Sequence, residues 1–230
     1  ALLQWYSKLG LPINEGYGMT ENLALSHITV AGQNQQGTVG PTYPGVEHRI
    51  DPATGEIQMR SQALMSGYYK DSAATNDMMR DGWIYSGDRG RMDDHGNLFV
   101  LGRIKDVFKT SKGVFVAPDP IEEELTQNPI IAQVCVSGLG LPQPIALVIL
   151  ANHDLDATAL QTALENHLKE VNCRLSSHEK ISNMVICKDI WSEANHLLTP
   201  TLKTRRVAIH DRYGERFSDW QKSAQSIIWE

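Results

Sequence analysis

The chain has 230 residues, 41% of them hydrophobic and 21% charged, with a formal net charge of −6. That length suits one large or two small globular domains, and the acidic excess argues against a nucleic-acid binder, whose phosphate contacts need a basic surplus. No apolar run approaches the roughly 18 residues of a membrane span, the longest being Ile145 to Ala151, and the opening ALLQWYSKLG lacks the basic flank, apolar stretch and cleavage site of a signal peptide.

The chain starts without Met and with no cap or turn before Leu2, so it is expected to belong to something longer. Residues 1 to about 100 are rich in Gly, Pro and short β-like runs. Pro41, Pro44 and Gly45 punctuate Val39 to Ile50, and the Asp51–Gly55 turn precedes a short strand to Met59. Asp81-Gly82 turns the chain into Trp83-Ile84-Tyr85. Asp94-His95-Gly96-Asn97 is a hairpin turn before a strand from Leu98 to Leu101. The polar run Arg103–Asp106 marks a change of composition and a domain boundary. Beyond it, Asp119 as N-cap, Pro120 at the first position and Glu122 as a capping-box partner predict a helix that Pro129 limits. Ile130–Val136 and Ile145–Leu150 read as paired strands. Leu160, Leu164, Leu168 and Val171 repeat at helical spacing and predict a helix over 157–172 packed on them. Asn183–Cys187 reads as a further strand, and the apolar spacing after Arg206 as a terminal packing helix. Cys135, Cys173 and Cys187 form no CxxC pair and stand at no metal-finger spacing from a His. Free thiols in a reducing cytoplasm are expected.

Four segments carry chemistry. In Gly16-Tyr17-Gly18-Met19-Thr20-Glu21, glycine admits a close ligand, Tyr17 offers a face to a base, Thr20 a hydroxyl to phosphate, and Glu21 a hard oxygen to Mg²⁺. The same hexapeptide also reads as a plain strand end with a turn. In Tyr85-Ser86-Gly87-Asp88-Arg89-Gly90, Asp88 beside glycine can take both hydroxyls of a ribose, or be a solvated turn residue. Gly102-Arg103-Ile104-Lys105-Asp106, with Lys112-Gly113 downstream, offers Arg103 to ribose or phosphate oxygens, or is a charged hairpin between domains. Leu198-Thr199-Pro200-Thr201-Leu202-Lys203-Thr204-Arg205-Arg206 places Lys203 as a mobile point charge, or is a basic surface loop.

In order and approximate spacing these four resemble the adenylation motifs of the acyl-CoA synthetase, peptide-synthetase adenylation domain and luciferase superfamily. Gly37–Pro41, Gly55-Glu56-Ile57, Gly67-Tyr68-Tyr69 and Asp81-Gly82-Trp83 also match, and LTPTLK with KTSKGVFVAPDPIE looks most like the long-chain fatty acyl-CoA synthetases. The resemblance implies an α+β fold. Residues 1–102 would be the tail of a large AMP-binding domain built of short strands, 103–106 a hinge, and 107–230 a small C-terminal domain. It implies ATP-dependent activation of a carboxylic acid to acyl-AMP, then acyl-CoA, with Mg²⁺ and coenzyme A. Tyr17, between Gly16 and Gly18, would stack on adenine, Thr20 contact phosphate and Glu21 bind Mg²⁺. Asp88 and Arg103 would hold the ribose, Lys203 stabilise charge between carboxylate and α-phosphate, Lys105 sit at the hinge, and Gly113 line the CoA path.

The Gly/Ser/Thr-rich phosphate loop of the family is absent, and Ser111-Lys112-Gly113 departs from the usual small-residue pattern. The expected partners are therefore fatty acid, ATP, CoA and a missing N-terminal portion of the same enzyme, and this chain alone is expected to be inactive. A fatty-acyl-AMP ligase, the adenylation domain of a carboxylic acid reductase, and a truncated non-catalytic nucleotide- or partner-binding module remain as alternatives.

Overall fold

Short apolar runs broken by turn residues make the front of the chain a meander of brief strands. In the computed structural model, which describes residues 2–11, 13–30, 37–151 and 155–230, Ala1–Lys105 and Asp106–Glu230 form two separate units. The first opens on α1 (Leu2–Lys8), followed by β1 (Gly16–Tyr17) and β2 (His27–Ile28), which pair antiparallel. Next come β3 (Glu47–Ile50), β4 (Glu56–Arg60), α2 (Ser72–Met78), β5 (Met79–Arg80), β6 (Trp83–Met92) and β7 (Leu98–Arg103). The sheet runs β3-β4-β6-β5, and β7 joins β6 further along, from Asp88 to Met92.

Side-chain turn chemistry sets these registers. Asp51 Oδ1 accepts from the backbone N–H groups of Ala53 and Thr54, and Asp93 Oδ1 from those of His95 and Asn97. The inward residues Ile57, Met59, Ile84 and Leu98 form a small core, against which Tyr17 and Met19 pack from the β1 side.

The second unit holds β8 (Phe108–Lys109), β9 (Phe115–Val116), α3 (Pro118–Thr126), β10 (Ile131–Ser137), β11 (Ile145–Leu150), α4 (Ala157–Arg174), β12 (Met184–Ile186), α5 (Arg206–Tyr213), α6 (Phe217–Lys222) and β13 (Ile227–Trp229). Its sheet order is β10-β11-β12-β13, with β10–β11 antiparallel and the other pairs parallel. Both faces are covered, which is why Ile145–Leu150 is continuously apolar rather than alternating. Val134, Val136, Ala146, Val148, Met184 and Ile186 face α3 and α4. Cys135, Ile145, Leu147, Ile149 and Val185 face Trp191, Leu198 and the α5–α6 layer. The helical stripe Leu160, Leu164, Leu168 and Val171 is buried in the first of these cores, and Asp156 caps its helix through the N–H groups of Thr158 and Ala159.

Two expected boundaries moved. Helix α3 starts at Pro118 with Ala117 as its cap, not at Asp119. Pro118 has no N–H to satisfy and its φ suits a first helical position, which frees Asp119 and Glu122 to bind Arg206. The segment after Arg206 is not one helix. A single tight turn over Gly214–Arg216 separates α5 from α6, and Ile227-Ile228-Trp229 pairs parallel with β12. An open sheet edge outcompetes helical spacing for a run rich in β-branched residues. Among the described residues no helix is long and apolar enough to cross a membrane.

Candidate functional site

Asp88 is aimed by a kink in β6. Gly87 takes a φ of 69°, its N–H donates to Glu56 Oε1 at 2.9 Å, and Ser86 Oγ donates to the Ile57 carbonyl at 2.7 Å while accepting the Asp88 N–H at 3.0 Å. Across the ladder Asp88 stands opposite Arg103 on β7. Its carboxylate meets Arg103 Nε at 3.2 Å and accepts the Tyr17 hydroxyl at 2.7 Å. Residues 17, 88 and 103, far apart in sequence, thus share one point. The Asp88 side chain is 14% exposed and Arg103 53%. With the Arg103 side of the pair open to solvent, the ion pair itself stabilises the fold by about 1 kcal/mol or less. Burial raises the Tyr17 phenol well above its ordinary value; the bond from Ser86 opposes this and Asp88 adds to it. Tyr17 therefore stays a neutral donor.

Gly16 and Tyr17 form β1, and the chain then turns sharply. A Cβ on Gly18 would lie 2.4 Å from Ala24 backbone atoms, so glycine is required there by the chain's own return. The turn contains a single 3₁₀ segment, Thr20–Asn22, followed by Leu23 and Ala24 at φ 56° and 57°. Two successive non-glycine residues in the left-handed region are costly and tend to mark ligand sites. Thr20 is exposed. The Glu21 carboxylate accepts the Tyr68 hydroxyl at 2.6 Å through Oε1, and the Glu21 carbonyl accepts the Met65 N–H at 2.7 Å. The bond to Glu21, with burial second, pushes the Tyr68 phenol up to about 12. Among the described residues no cluster of three or more His, Cys, Asp or Glu is arranged to hold a metal. A lone, oriented carboxylate still fits Mg²⁺, which commonly takes one protein carboxylate and completes its shell with phosphate oxygens and water.

Behind Tyr17 lies His27, fully buried, its ring 6.2 Å from the tyrosine ring and 5.1 Å from His48. Its Nδ1 contacts Ser26 Oγ at 2.7 Å, and its Nε2 is buried without a partner. Burial, with His48 second, lowers its pKa to about 4.

In the second unit Lys203 sits exposed on a tight hairpin. Leu198 bridges Thr204, the Thr199 N–H donates to the Lys203 carbonyl at 2.8 Å, and the Lys203 N–H donates to Thr199 Oγ1 at 3.0 Å. Gly113 turns β8 into β9 at a φ of 81°. Lys105 is the last residue of the first unit, in the one-turn segment Ile104–Asp106. Three contributors escaped sequence reasoning: Tyr68 on Glu21, the pairing of buried His27 with half-buried His48, and Arg206 among Asp106, Asp119 and Glu122. The first had a signal in Gly67-Tyr68-Tyr69. The other two depend on long-range contacts with no local pattern.

Residues 105–220 match the AMP-binding enzyme C-terminal domain, and residues 1–69 match AMP-binding enzyme. The chain is 30% identical over 91% of its length to the long-chain-fatty-acid–CoA ligase FadD15 of Mycobacterium bovis, of which it covers 38%. It is 28% identical over 92% of its length to human long-chain-fatty-acid–CoA ligase 1, covering 35% of that protein. Among solved structures it resembles the A-PCP didomain of carboxylic acid reductase from Segniliparus rugosus in complex with AMP, with a TM-score of 0.74 and 25% identity over 94% of this chain and 32% of that one. The chain thus spans little more than a third of the curated relatives it matches. With half its length matched by the C-terminal-domain model and its front by the AMP-binding model, the chain belongs to the AMP-binding enzymes.

Proposed function

We propose that this chain is part of a longer enzyme that activates a carboxylic acid, a fatty acid in the first instance, to acyl-AMP and then to acyl-CoA, with residues 1–102 closing the AMP-binding domain, 103–106 the hinge and 107–230 the C-terminal domain. The observation that carries this is Asp88, whose carboxylate gathers Tyr17 and Arg103 at one point. There it can exchange those bonds for the two hydroxyls of a ribose. Tyr17, flanked by Gly16 and Gly18, would set the adenine and Thr20 would meet phosphate. Glu21 would hold a Mg²⁺ ion, which supplies charge neutralisation of the phosphate oxygens. In the first half-reaction a substrate carboxylate oxygen attacks the α-phosphorus and pyrophosphate leaves. Lys203 would stabilise the charge that develops between them. In the second, the CoA thiolate attacks the acyl carbonyl, AMP leaves, and Gly113 would lie beside the pantetheine path. Motion about Lys105 would let one scaffold serve both steps. The free thiols Cys135, Cys173 and Cys187 suit a reducing cytoplasm.

The likeness to the reductase didomain supports a second outcome, in which the same adenylating unit delivers its acyl group to a carrier rather than to CoA. The test is fatty-acid-dependent ATP–pyrophosphate exchange by the longer protein, followed by thioester formation with CoA. Exchange with CoA thioester supports the ligase, and exchange without it supports the fatty-acyl-AMP ligase or reductase reading. Absence of exchange together with retained nucleotide binding identifies a non-catalytic module. Lys203→Ala should cut the exchange by about 10²-fold and spare thioester formation from preformed acyl-AMP; equal losses in both steps would reject its role.

A further inference from the structure

Arg206 opens α5, three residues after Lys203. Its side chain is 18% exposed and touches three carboxylates. Nε lies 3.2 Å from Asp106, Nη2 donates to Asp119 at 2.7 Å, and both terminal nitrogens donate to Glu122 at 2.6 Å. Nη1 also reaches the Val136 carbonyl at 3.3 Å, and Glu122 Oε1 accepts the Val136 N–H at 2.6 Å. One planar fork therefore ties together the first residue of the second unit, the first turn of α3 and strand β10. Burial opposes charge on both partners, raising Glu122 and working against Arg206. The bonds with Glu122 override it for the guanidinium, whose pKa stands above its ordinary value. An enclosed, bidentate clamp of this kind fixes geometry in a way that exposed pairs do not.

The clamp lies at the root of the Lys203 hairpin. On one side Leu197 and Leu198 are buried, and the Arg205 N–H donates to the Leu197 carbonyl at 2.9 Å. On the other the chain enters α5 through Arg206. The hairpin itself is exposed, with Leu202 at a φ of 60°, so its direction is set where it is rooted. We propose that Arg206 is a positioning residue for Lys203, its three-carboxylate clamp fixing the direction in which the hairpin projects that lysine from α3 and from Asp106. This rests on Lys203 being the adenylation lysine.

The test is a double-mutant cycle in the longer protein, with amide exchange measured on the 230-residue chain. Arg206→Lys keeps the charge, but a compact ammonium cannot serve three carboxylates as a planar fork does. It should lower kcat for pyrophosphate exchange by about 10–100-fold, the scale of a misplacement near 1 Å, with KM for ATP unchanged. On a Lys203→Ala background it should cost nothing further, since it acts through Lys203. The hydrogen-bonded amides of Thr199, Leu202, Lys203 and Arg205 should exchange about tenfold faster, the scale of a weakened local lock, while β11 and α4 keep their protection. An equal further loss on the Lys203→Ala background, or an unchanged hairpin, would overturn the proposal. If Lys203→Ala itself leaves pyrophosphate exchange intact, the assignment of Lys203 fails first and the catalytic half of this proposal falls with it. The amide data then still decide whether Arg206 holds the hairpin.

Discussion

Acid should weaken the first unit through His27. Folded, this residue is fully buried, with Ser26, Tyr17 and His48 beside its ring. It stays neutral until about pH 4, whereas an unfolded histidine takes up its proton at 6.5. Between those values the unfolded chain binds more protons than the folded one, so stability falls as pH drops through 6.5 and levels off below about 4. Each pH unit in that window is worth about 1.36 kcal/mol, giving a loss of about 2 kcal/mol at pH 5 and about 3 at pH 4. Against a total of about 5–15 kcal/mol for a domain, that is enough to loosen the turn carrying Tyr17 and Glu21. His48, also lowered by burial, adds a loss of the same sign. Comparing the wild type with His27→Gln isolates the first contribution, because glutamine bears no proton to gain. Urea unfolding followed at the methyl groups of Ile57 and Ile84 should show the wild type losing about 2 kcal/mol more than the variant between pH 7 and pH 5. Parallel curves would refute the assignment of a buried neutral imidazole.

Glu21→Gln should return the Tyr68 phenol from about 12 toward its ordinary value of about 10, readable by carbon NMR of labelled tyrosine; an unmoved titration would show that the two side chains do not pair in solution. Burial pushes the Cys135 and Cys187 thiols up to about 12. A thiol reagent at pH 8 should therefore modify only the exposed Cys173 in the native chain, and native labelling of Cys135 would contradict the packing. Leu164→Ala, at a side chain with no exposure, should cost about 2–5 kcal/mol by cavity formation in an unfolding experiment on the second unit. A loss below 1 kcal/mol would place α4 wrongly.

Much of the second unit was legible because its signals are local. The three- and four-residue spacing from Leu160 to Val171, the apolar run Ile145–Leu150 and its partner Ile130–Val136 each name an element and a face. The start of α3 was misread because Asp119 and Glu122 look like capping residues by type, while their partner, Arg206, lies more than 80 residues away. The last strand was missed because the partner of Ile227, Met184 on β12, cannot be seen from residues 223–230 alone. In the first unit the motif residues Tyr17, Asp88 and Arg103 were named as candidates for one cleft, and the structure brings their side chains together. Gly18 was read as room for a ligand, whereas the close approach it permits is to Ala24 of its own chain. Tyr68 stood in the matching tripeptide Gly67-Tyr68-Tyr69, but nothing local marks its contact with Glu21 47 residues off, and His27 was invisible because its ring neighbour His48 lies on another strand.

The most direct test of the account is an AMP titration of the isotopically labelled 230-residue chain. Saturable shifts confined to Gly16–Glu21, Gly87-Asp88 and Arg103, and abolished by Asp88→Ala, are expected if this cluster receives the nucleotide. Shifts that survive Asp88→Ala unchanged, or that fall elsewhere, would contradict it.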